Sequence, residues 1–200
     1  METVVILIFD GVELLDFAGP YEVFSACSKS EGEPLYRVQT ASPNGQPIRT
    51  ANGLAVMSDM AFVEVDQPDV LIVPGGNGVY ALMDDPTLHA FLRAQAAAQR
   101  QVLSVCTGAL LLARAGVLQG RPATTYHTRF DRLLEYDPTI IARPGVRWVD
   151  SGTIITAAGV SAGIDASLYY IARRYGRAVA DMTARYMEYE HWARLAADLA

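Results

Sequence analysis

The 200-residue sequence contains only two cysteines, Cys27 and Cys106. It therefore lacks the paired cysteines of a small disulfide-bonded secreted protein. No apolar run approaches the length of about 20 residues that a membrane span needs, and no basic region precedes the apolar stretch at the N-terminus, as a signal peptide requires. We expect a protein without disulfides or membrane association, in the reducing environment of the cytoplasm.

Clustered positive charge is also missing. The net charge is −6 and the arginines are scattered singly, whereas binding to nucleic acid needs clustered basic residues. The three histidines, the cysteines and the carboxylates have no spacing typical of a metal site. With 51% hydrophobic and 19% charged residues, the composition is that of a globular domain. We expect one domain over residues 1–200 that binds a small molecule.

Short apolar runs alternate with helix-like segments along the chain. The runs typical of buried strands are 4–9, 35–40, 69–73, 101–105 and 153–156, with shorter strands at 54–57 and 146–149. Helices are indicated from Pro20, over 86–99, after Gly108, from Phe130, up to Gly176 and over 177–189. This alternation predicts an α/β fold with a mostly parallel sheet and helices on both faces, whose ligand lies beyond the carboxyl ends of the strands.

Cys106 is the residue on which the functional interpretation depends. It ends the run Gln101–Val105, and the helical pattern begins directly after it, so three residues make the whole turn from strand to helix. A lone cysteine is usually a small buried hydrophobe. At a strand-to-helix turn, however, free N–H groups and the helix dipole favour a thiolate, so we interpret Cys106 as a nucleophile or redox thiol that loses its proton easily.

Three other segments are predicted to meet Cys106 at the same edge of the sheet. Asp16 follows the first strand and lies just ahead of Pro20, which fits the first turn of a helix. It is either an N-terminal cap or a functional carboxyl. Gly75 and Gly76 follow the third strand, where glycine lets backbone N–H groups approach a ligand. The turn 158–161 follows the last strand.

Ser161 is a rival nucleophile, because Gly159–Gly163 reads GVSAG and matches the serine hydrolase motif G-x-S-x-G. That fold needs an acid and then a histidine downstream, and only helical residues and His191 follow. We therefore interpret Ser161 as a helix cap and a wall of the pocket. His127 lies on a predicted loop, where it could partner Cys106.

The motifs VPGGNG, SVCTGALLLARAGVLQGRPATT and ITAAGVSAGID resemble the DJ-1/ThiJ/PfpI superfamily, and GVELLDFAGPYEVF resembles its isonitrile hydratase branch. The resemblance covers most of the chain. It implies a flavodoxin-like sandwich, usually a homodimer, with a cysteine at the nucleophile elbow. It further implies that Cys106 is the nucleophile, that Asp16 is the active-site acid and that Thr107 helps to position the substrate. The backbone N–H groups of Gly76 and Thr107 would form an oxyanion hole.

The sequence departs from some relatives at two points. Protease-like members have a histidine after the cysteine, where this chain has Thr107, so we expect no peptidase or glutamine-hydrolysing triad. Other relatives carry a helix-turn-helix regulator after this domain, whereas this sequence ends at Ala200, so we expect no direct binding to DNA.

The resemblance leads to a mechanistic hypothesis without a cofactor. The Cys106 thiolate attacks the terminal carbon of an isonitrile, Asp16 supplies a proton, and water hydrolyses the thioimidate to an N-substituted formamide. Two alternatives remain open at this stage. One is a thiol sensor in which Cys106 is oxidised, and the other is glyoxalase or deglycase chemistry with the same thiolate.

Overall fold

The computed structural model describes residues 1–28 and 32–197. Its strands are β1 (Glu2–Leu7), β2 (Tyr36–Ser42), β3 (Ile48–Arg49), β4 (Ala55–Val56), β5 (Met60–Ala61), β6 (Val70–Val73), β7 (Gln101–Val105), β8 (Pro122–Ala123), β9 (Ile141–Ala142), β10 (Trp148–Asp150) and β11 (Ile154–Ala157). Its α-helices are α1 (Leu14–Ala26), α2 (Pro86–Ala97), α3 (Gly108–Arg114), α4 (Phe130–Tyr136), α5 (Ala162–Tyr175), α6 (Arg177–Tyr186) and α7 (His191–Ala197), and 3₁₀ turns cover Phe62–Glu64 and Asn77–Leu82.

The central sheet has the strand order β10-β11-β7-β6-β1-β2-β5. All neighbouring pairs are parallel except β10 with β11. Every residue of β6 and β7 is buried, which explains why β6 is a continuous apolar run and why β7 does not alternate between apolar and polar residues. The predicted fold class, a mostly parallel α/β sandwich with helices on both faces, is confirmed.

The helices form two groups around this sheet. Helices α1, α5 and α6 contact one another, and α2 contacts α3, which contacts α4. The Asp85 side chain accepts hydrogen bonds from the N–H groups of Thr87 and Leu88, which is the cap that the sequence predicts for α2. No helix within the described parts of the chain is long and apolar enough to cross a bilayer.

Two helices differ from the sequence-based expectation. Helix α1 begins at Leu14 rather than at Pro20, so Pro20 lies inside it. The missing N–H of Pro20 leaves the carbonyl of Asp16 without its helical partner, and packing of α1 against α5 offsets that loss. The C-terminal helix ends at Tyr186, and α7 follows as a separate element with Trp192 buried.

Parallel order brings four loops together. The sheet contains β11, β7, β6 and β1 side by side in this order. All four strands run in the same direction. Their carboxyl ends therefore lie along one edge. The loops after these strands lead to Asp16, to Gly75, to Cys106 and to the turn 158–161, so the sequence correctly predicts which segments meet.

Candidate active site

Cys106 forms a tight elbow between β7 and α3. Its φ angle is +57°, a left-handed conformation that costs a non-glycine residue about 1–3 kcal/mol and persists only where the surroundings impose it. Two contacts impose it here. The Cys106 N–H donates to the carbonyl of Ala158 at 2.7 Å, and its carbonyl accepts a hydrogen bond from the hydroxyl of buried Thr125 at 2.9 Å. The elbow therefore presents the thiol in a fixed direction.

Asp16 lies in the first turn of α1 rather than ahead of the helix, and it is fully buried. Its Oδ2 accepts a hydrogen bond from the Gly75 N–H at 2.9 Å. Its Oδ1 is buried and has no nitrogen or oxygen partner within residues 1–28 and 32–197. The Cys106 thiol interacts directly with this carboxyl. Asp16 is therefore a functional carboxyl candidate and does not cap the helix, whose N-cap is Glu13.

Burial raises the pKa of Asp16 from 3.8 to about 7, against the opposing effect of the Gly75 N–H, while the nearby charge of Glu13 raises it further. A carboxyl with this pKa can give or take a proton near neutral pH, which is what a general acid-base group needs. The environment of α1 thus prepares Asp16 for proton transfer.

The expectation that the Cys106 thiol loses its proton easily is wrong. Burial raises its pKa to about 12, and the charge of Asp16 adds to this increase. Hydrogen bonds from Thr107 and from the Val160 N–H act in the opposite direction but are weaker. The side chain is only 6% exposed. Sulfur and carboxyl are therefore a coupled pair that holds one proton between about pH 7 and pH 12.

The glycine-rich loop after β6 holds the acid and the residue after the nucleophile. A Cβ on Gly75 would lie 2.5 Å from the Thr107 backbone nitrogen and 3.0 Å from Asp16 Oδ2, so this position allows only glycine. The Gly76 N–H donates to the Thr107 hydroxyl at 2.9 Å. The expected oxyanion donors are thus occupied here: Gly75 binds Asp16, Gly76 binds Thr107, and the Thr107 N–H binds Cys106.

The remaining predicted residues have different positions. Gly159 lies in the turn beside the elbow and packs against the ring of Tyr126, since a Cβ there would be 2.7 Å from that ring. Ser161 is the N-cap residue of α5, as predicted, but its side chain makes no capping hydrogen bond and accepts one from Arg147 at 3.0 Å instead. His127 is exposed and its ring packs on Tyr126, with centroids 4.4 Å apart. The suggested pairing of His127 with Cys106 is therefore wrong.

Three residues at the site were missed by the sequence analysis. Thr125 supports the Cys106 carbonyl, Tyr126 covers Gly159, and Arg147 contacts Ser161. The segment Thr124–Tyr126 precedes the predicted loop, but nothing in its local pattern indicates a contact with a residue 19 positions earlier. Arg147 reads as an ordinary surface residue in the sequence, and only its buried partner Asp165 distinguishes it.

The arrangement has the parts needed for covalent catalysis: a thiol on a rigid elbow and a buried carboxyl that can transfer a proton to or from it. Within the described residues, no group of three or more His, Cys, Asp or Glu side chains is arranged to hold a metal ion. The chemistry that these two side chains can supply is nucleophilic attack by sulfur coupled to proton transfer.

The family model described as "DJ-1/PfpI family" matches residues 2–173. The chain belongs to the DJ-1/PfpI family. An isonitrile hydratase from Pseudomonas putida is 37% identical over 184 residues, which cover 92% of this chain and 76% of that protein. This finding confirms the resemblance to the isonitrile hydratase branch. A deglycase from Pyrococcus horikoshii is 29% identical over 169 residues, which cover 84% of this chain and 91% of that protein.

A solved structure gives the same result for the fold. The crystal structure of a ThiJ/PfpI family protein from Pseudomonas syringae matches with a TM-score of 0.84 and 28% identity, over 94% of this chain and 75% of that chain.

The hydratase and the deglycase among these relatives have different activities, so the family alone does not select a reaction. The geometry around Cys106 and Asp16 has to make that selection.

Proposed function

We propose that the protein is a cofactor-independent isonitrile hydratase, a lyase that adds water to an isonitrile and releases an N-substituted formamide. The observation that carries the proposal is the buried pair of Cys106 and Asp16, in which the acid has a pKa of about 7. Addition of a thiol to an isonitrile carbon needs a sulfur nucleophile and a proton donor at one place. The similarity to the Pseudomonas putida isonitrile hydratase supports the same choice.

The isonitrile and water are the two reactants that the reaction consumes. The Cys106 sulfur gives its proton to Asp16 as it forms a bond to the terminal carbon of the isonitrile, and Asp16 passes that proton to the same carbon. The product is a thioimidate with a C=N double bond. Water then adds to the same carbon while the nitrogen takes up a proton. The C–S bond breaks, and the formamide leaves as the thiol regains its proton.

Supporting residues have positioning roles in this proposal. Gly75 holds the carboxyl of Asp16 through its N–H, and Thr107 links the nucleophile elbow to Gly76. An apolar substrate requires no charged anchor, which agrees with a site whose carboxyl is fully desolvated. We assign Gly159 and Ser161 to the wall of the site and give His127 no role.

The two alternatives fit the site less well. A redox-sensing cysteine is usually an accessible thiol of low pKa, whereas Cys106 is 6% exposed and its pKa is raised to about 12. Deglycase chemistry uses the same nucleophile, and a related deglycase is known. The substrates of that chemistry are polar, and a polar substrate would lose its hydration when it enters the desolvated site around Asp16 and Cys106. The hydratase is therefore the favoured function.

We propose further that the protein is one cytoplasmic domain that acts as a homodimer. Both cysteines are free, as expected in a reducing compartment. Helix α1 exposes Leu15 and Tyr21, and the hairpin of β3 and β4 is flanked by Leu54 and Met57, which are 52% and 73% exposed. The Ala51 N–H binds the carbonyl of Val12, so this hairpin adjoins the loop that leads to α1. Apolar surface of this kind favours contact with a second copy.

Product analysis tests the proposed function. The purified protein is incubated with a panel of alkyl and aryl isonitriles and, separately, with methylglyoxal, and the products are quantified by mass spectrometry. We expect formamides from at least one isonitrile and no conversion of methylglyoxal. Conversion of methylglyoxal with no formamide from any isonitrile would replace the hydratase by the glyoxalase or deglycase reaction.

A further inference from the structure

The turn between β11 and α5 carries two groups that hold the nucleophile. The carbonyl of Ala158 accepts the Cys106 N–H at 2.7 Å, and the Val160 N–H lies close enough to the Cys106 sulfur to lower the pKa of the thiol. Val160 has a φ angle of +47°, which a β-branched residue adopts only when its surroundings hold it there. Something outside the turn therefore has to stabilise this conformation.

Arg147 contacts this turn at both ends. Its backbone carbonyl accepts the Ala158 N–H at 2.9 Å, and its guanidinium Nη2 donates to Ser161 Oγ at 3.0 Å. The same guanidinium binds the carboxylate of Asp165 in α5 through Nε at 2.7 Å and through Nη2. Asp165 is fully buried, and its second oxygen accepts the Tyr189 hydroxyl at 2.8 Å. The guanidinium is thus fixed by a buried partner while it binds the turn.

We infer that Arg147 is a positioning residue for Cys106: it fixes the turn 158–161 in the conformation that directs the Val160 N–H at the sulfur. The guanidinium touches Ser161 and Asp165 rather than the reacting atoms, so it acts through the turn. A hydrogen bond donated to sulfur favours the thiolate over the thiol, so loss of this alignment makes the nucleophile less reactive. The inference deepens the proposed function and rests on Cys106 as its nucleophile.

The geometry explains why arginine is needed at this position. The planar fork reaches the hydroxyl of Ser161 and the carboxylate of Asp165 at once. A lysine has the same charge but only a single ammonium on a flexible stem. Arg147→Lys therefore keeps the charge and loses the double contact, which separates a positioning effect from a purely electrostatic one. Asp16, whose charge acts on the thiol, and Glu13, whose charge acts on Asp16, stay unchanged in this variant.

Arg173 provides a matched control. Its side chain is 33% exposed against 36% for Arg147, and it joins α5 to β10 through an ion pair with Asp150. It also binds Gln101, the first residue of β7, and so lies at the opposite end of that strand from Cys106. Arg173→Met removes another ion pair of the same helix far from the site, and its partner Asp150 is 21% exposed whereas Asp165 is fully buried.

The test compares Arg147→Met, Arg147→Lys and Arg173→Met with the wild type. The rate constant for alkylation of Cys106 by iodoacetamide is measured from pH 7 to pH 10, with folding checked by circular dichroism. We expect Arg147→Met and Arg147→Lys to lower this rate constant about tenfold at each pH, as the loss of one hydrogen bond to a charged sulfur implies. Arg173→Met should stay within about twofold of the wild type. With an isonitrile substrate, kcat should fall by a similar factor while KM changes less than about twofold.

An alkylation profile of Arg147→Met that matches the wild type, or an equal loss in Arg173→Met, overturns the inference. Full recovery in Arg147→Lys also overturns it, because charge alone would then be sufficient. Should Arg147→Met fail to fold, Ser161→Ala removes only the contact between guanidinium and turn: a slower alkylation supports the inference, and an unchanged rate contradicts it. Alkylation needs no isonitrile, so a wild type without hydratase activity refutes the proposed function and leaves this result to stand separately.

Discussion

Replacement of Asp16 by asparagine is expected to stabilise the protein while it removes the proposed activity. Asp16 is fully buried, and in the part of the chain that the structure describes its carboxyl accepts one N–H, that of Gly75. Desolvation of the charged form is the largest cause of its raised pKa. Asparagine has nearly the same shape and stays neutral at every pH, so the variant avoids the cost of a buried charge.

The size of the effect follows from the pKa. In the unfolded chain Asp16 has the ordinary value of 3.8, and in the folded protein the value is about 7. Below about pH 4 the carboxyl is protonated in both states. Between about pH 4 and pH 7 only the folded protein keeps this proton, so the free energy of unfolding falls as the pH rises. The total fall is about 4 kcal/mol by pH 8, because a pKa difference of one corresponds to about 1.4 kcal/mol.

Thermal unfolding of Asp16→Asn and the wild type at pH 4.5 and pH 8 measures this effect. The asparagine NH₂ group faces the sulfur less favourably than the carboxyl does, which offsets part of the stability gained by avoiding a buried charge. We therefore expect the variant to be about 2–4 kcal/mol more stable at pH 8. For a chain of this size that corresponds to a Tm higher by roughly 5–10 °C. At pH 4.5 the two Tm values should nearly coincide. General acid-base catalysis contributes about 10²–10⁴-fold, so kcat should fall by that factor.

Asp165→Asn is the matched control, because Asp165 is equally buried but paired with Arg147 and Tyr189. Removal of one partner of a buried ion pair costs about 3–5 kcal/mol, so this variant should be less stable than the wild type at pH 8. If Asp16→Asn is no more stable than the wild type at pH 8, or gains as much at pH 4.5, then a buried charge on Asp16 is not the cause.

Three further predictions concern the thiol, the glycine-rich loop and the oligomer. Asp16→Asn should speed alkylation of Cys106 at pH 8, because the carboxylate charge that raises the thiol pKa is gone. Peptide mass mapping should find the fully buried Cys27 unlabelled. A slower reaction at Cys106 would contradict the coupling between the thiol and the carboxyl. Gly75→Ala should lower the stability by about 1–3 kcal/mol or more, because its Cβ would lie 2.5 Å from the Thr107 nitrogen; an unchanged Tm would show that the loop can move away. Light scattering at micromolar concentration should give about twice the chain mass of 21.7 kDa, and a clean monomer would rule out the homodimer.

Local patterns were sufficient for the elements that carry the site. The bounds of β7 agree with the predicted run Gln101–Val105, and Cys106 follows as the elbow. These predictions succeed because a parallel strand that is buried on both faces is mostly apolar and because a turn this short leaves no freedom. The start of α1 was misplaced for the opposite reason: the rule that proline opens a helix is local, whereas Pro20 is retained inside α1 through packing against α5.

The chemical state of the site could not be predicted from the sequence. The pKa of Cys106 depends first on desolvation, which distant segments create together, and then on Asp16, which is 90 positions away. The helix start, which is visible in the sequence, acts on the thiol more weakly than burial does. Arg147 was missed for the same reason, since its role depends on contacts with Ser161 and Asp165 that only the folded chain forms.

The most direct test of the central claim is the rate of formamide formation from a small alkyl isonitrile by the wild type and by Cys106→Ser, followed by mass spectrometry. Serine keeps the size and the elbow but replaces the thiol by a hydroxyl of much weaker nucleophilicity. We expect steady formamide production by the wild type and a loss of at least about 10³-fold in the variant. Equal rates in the two proteins, or no formamide from the wild type, would contradict hydration through a Cys106 thioimidate.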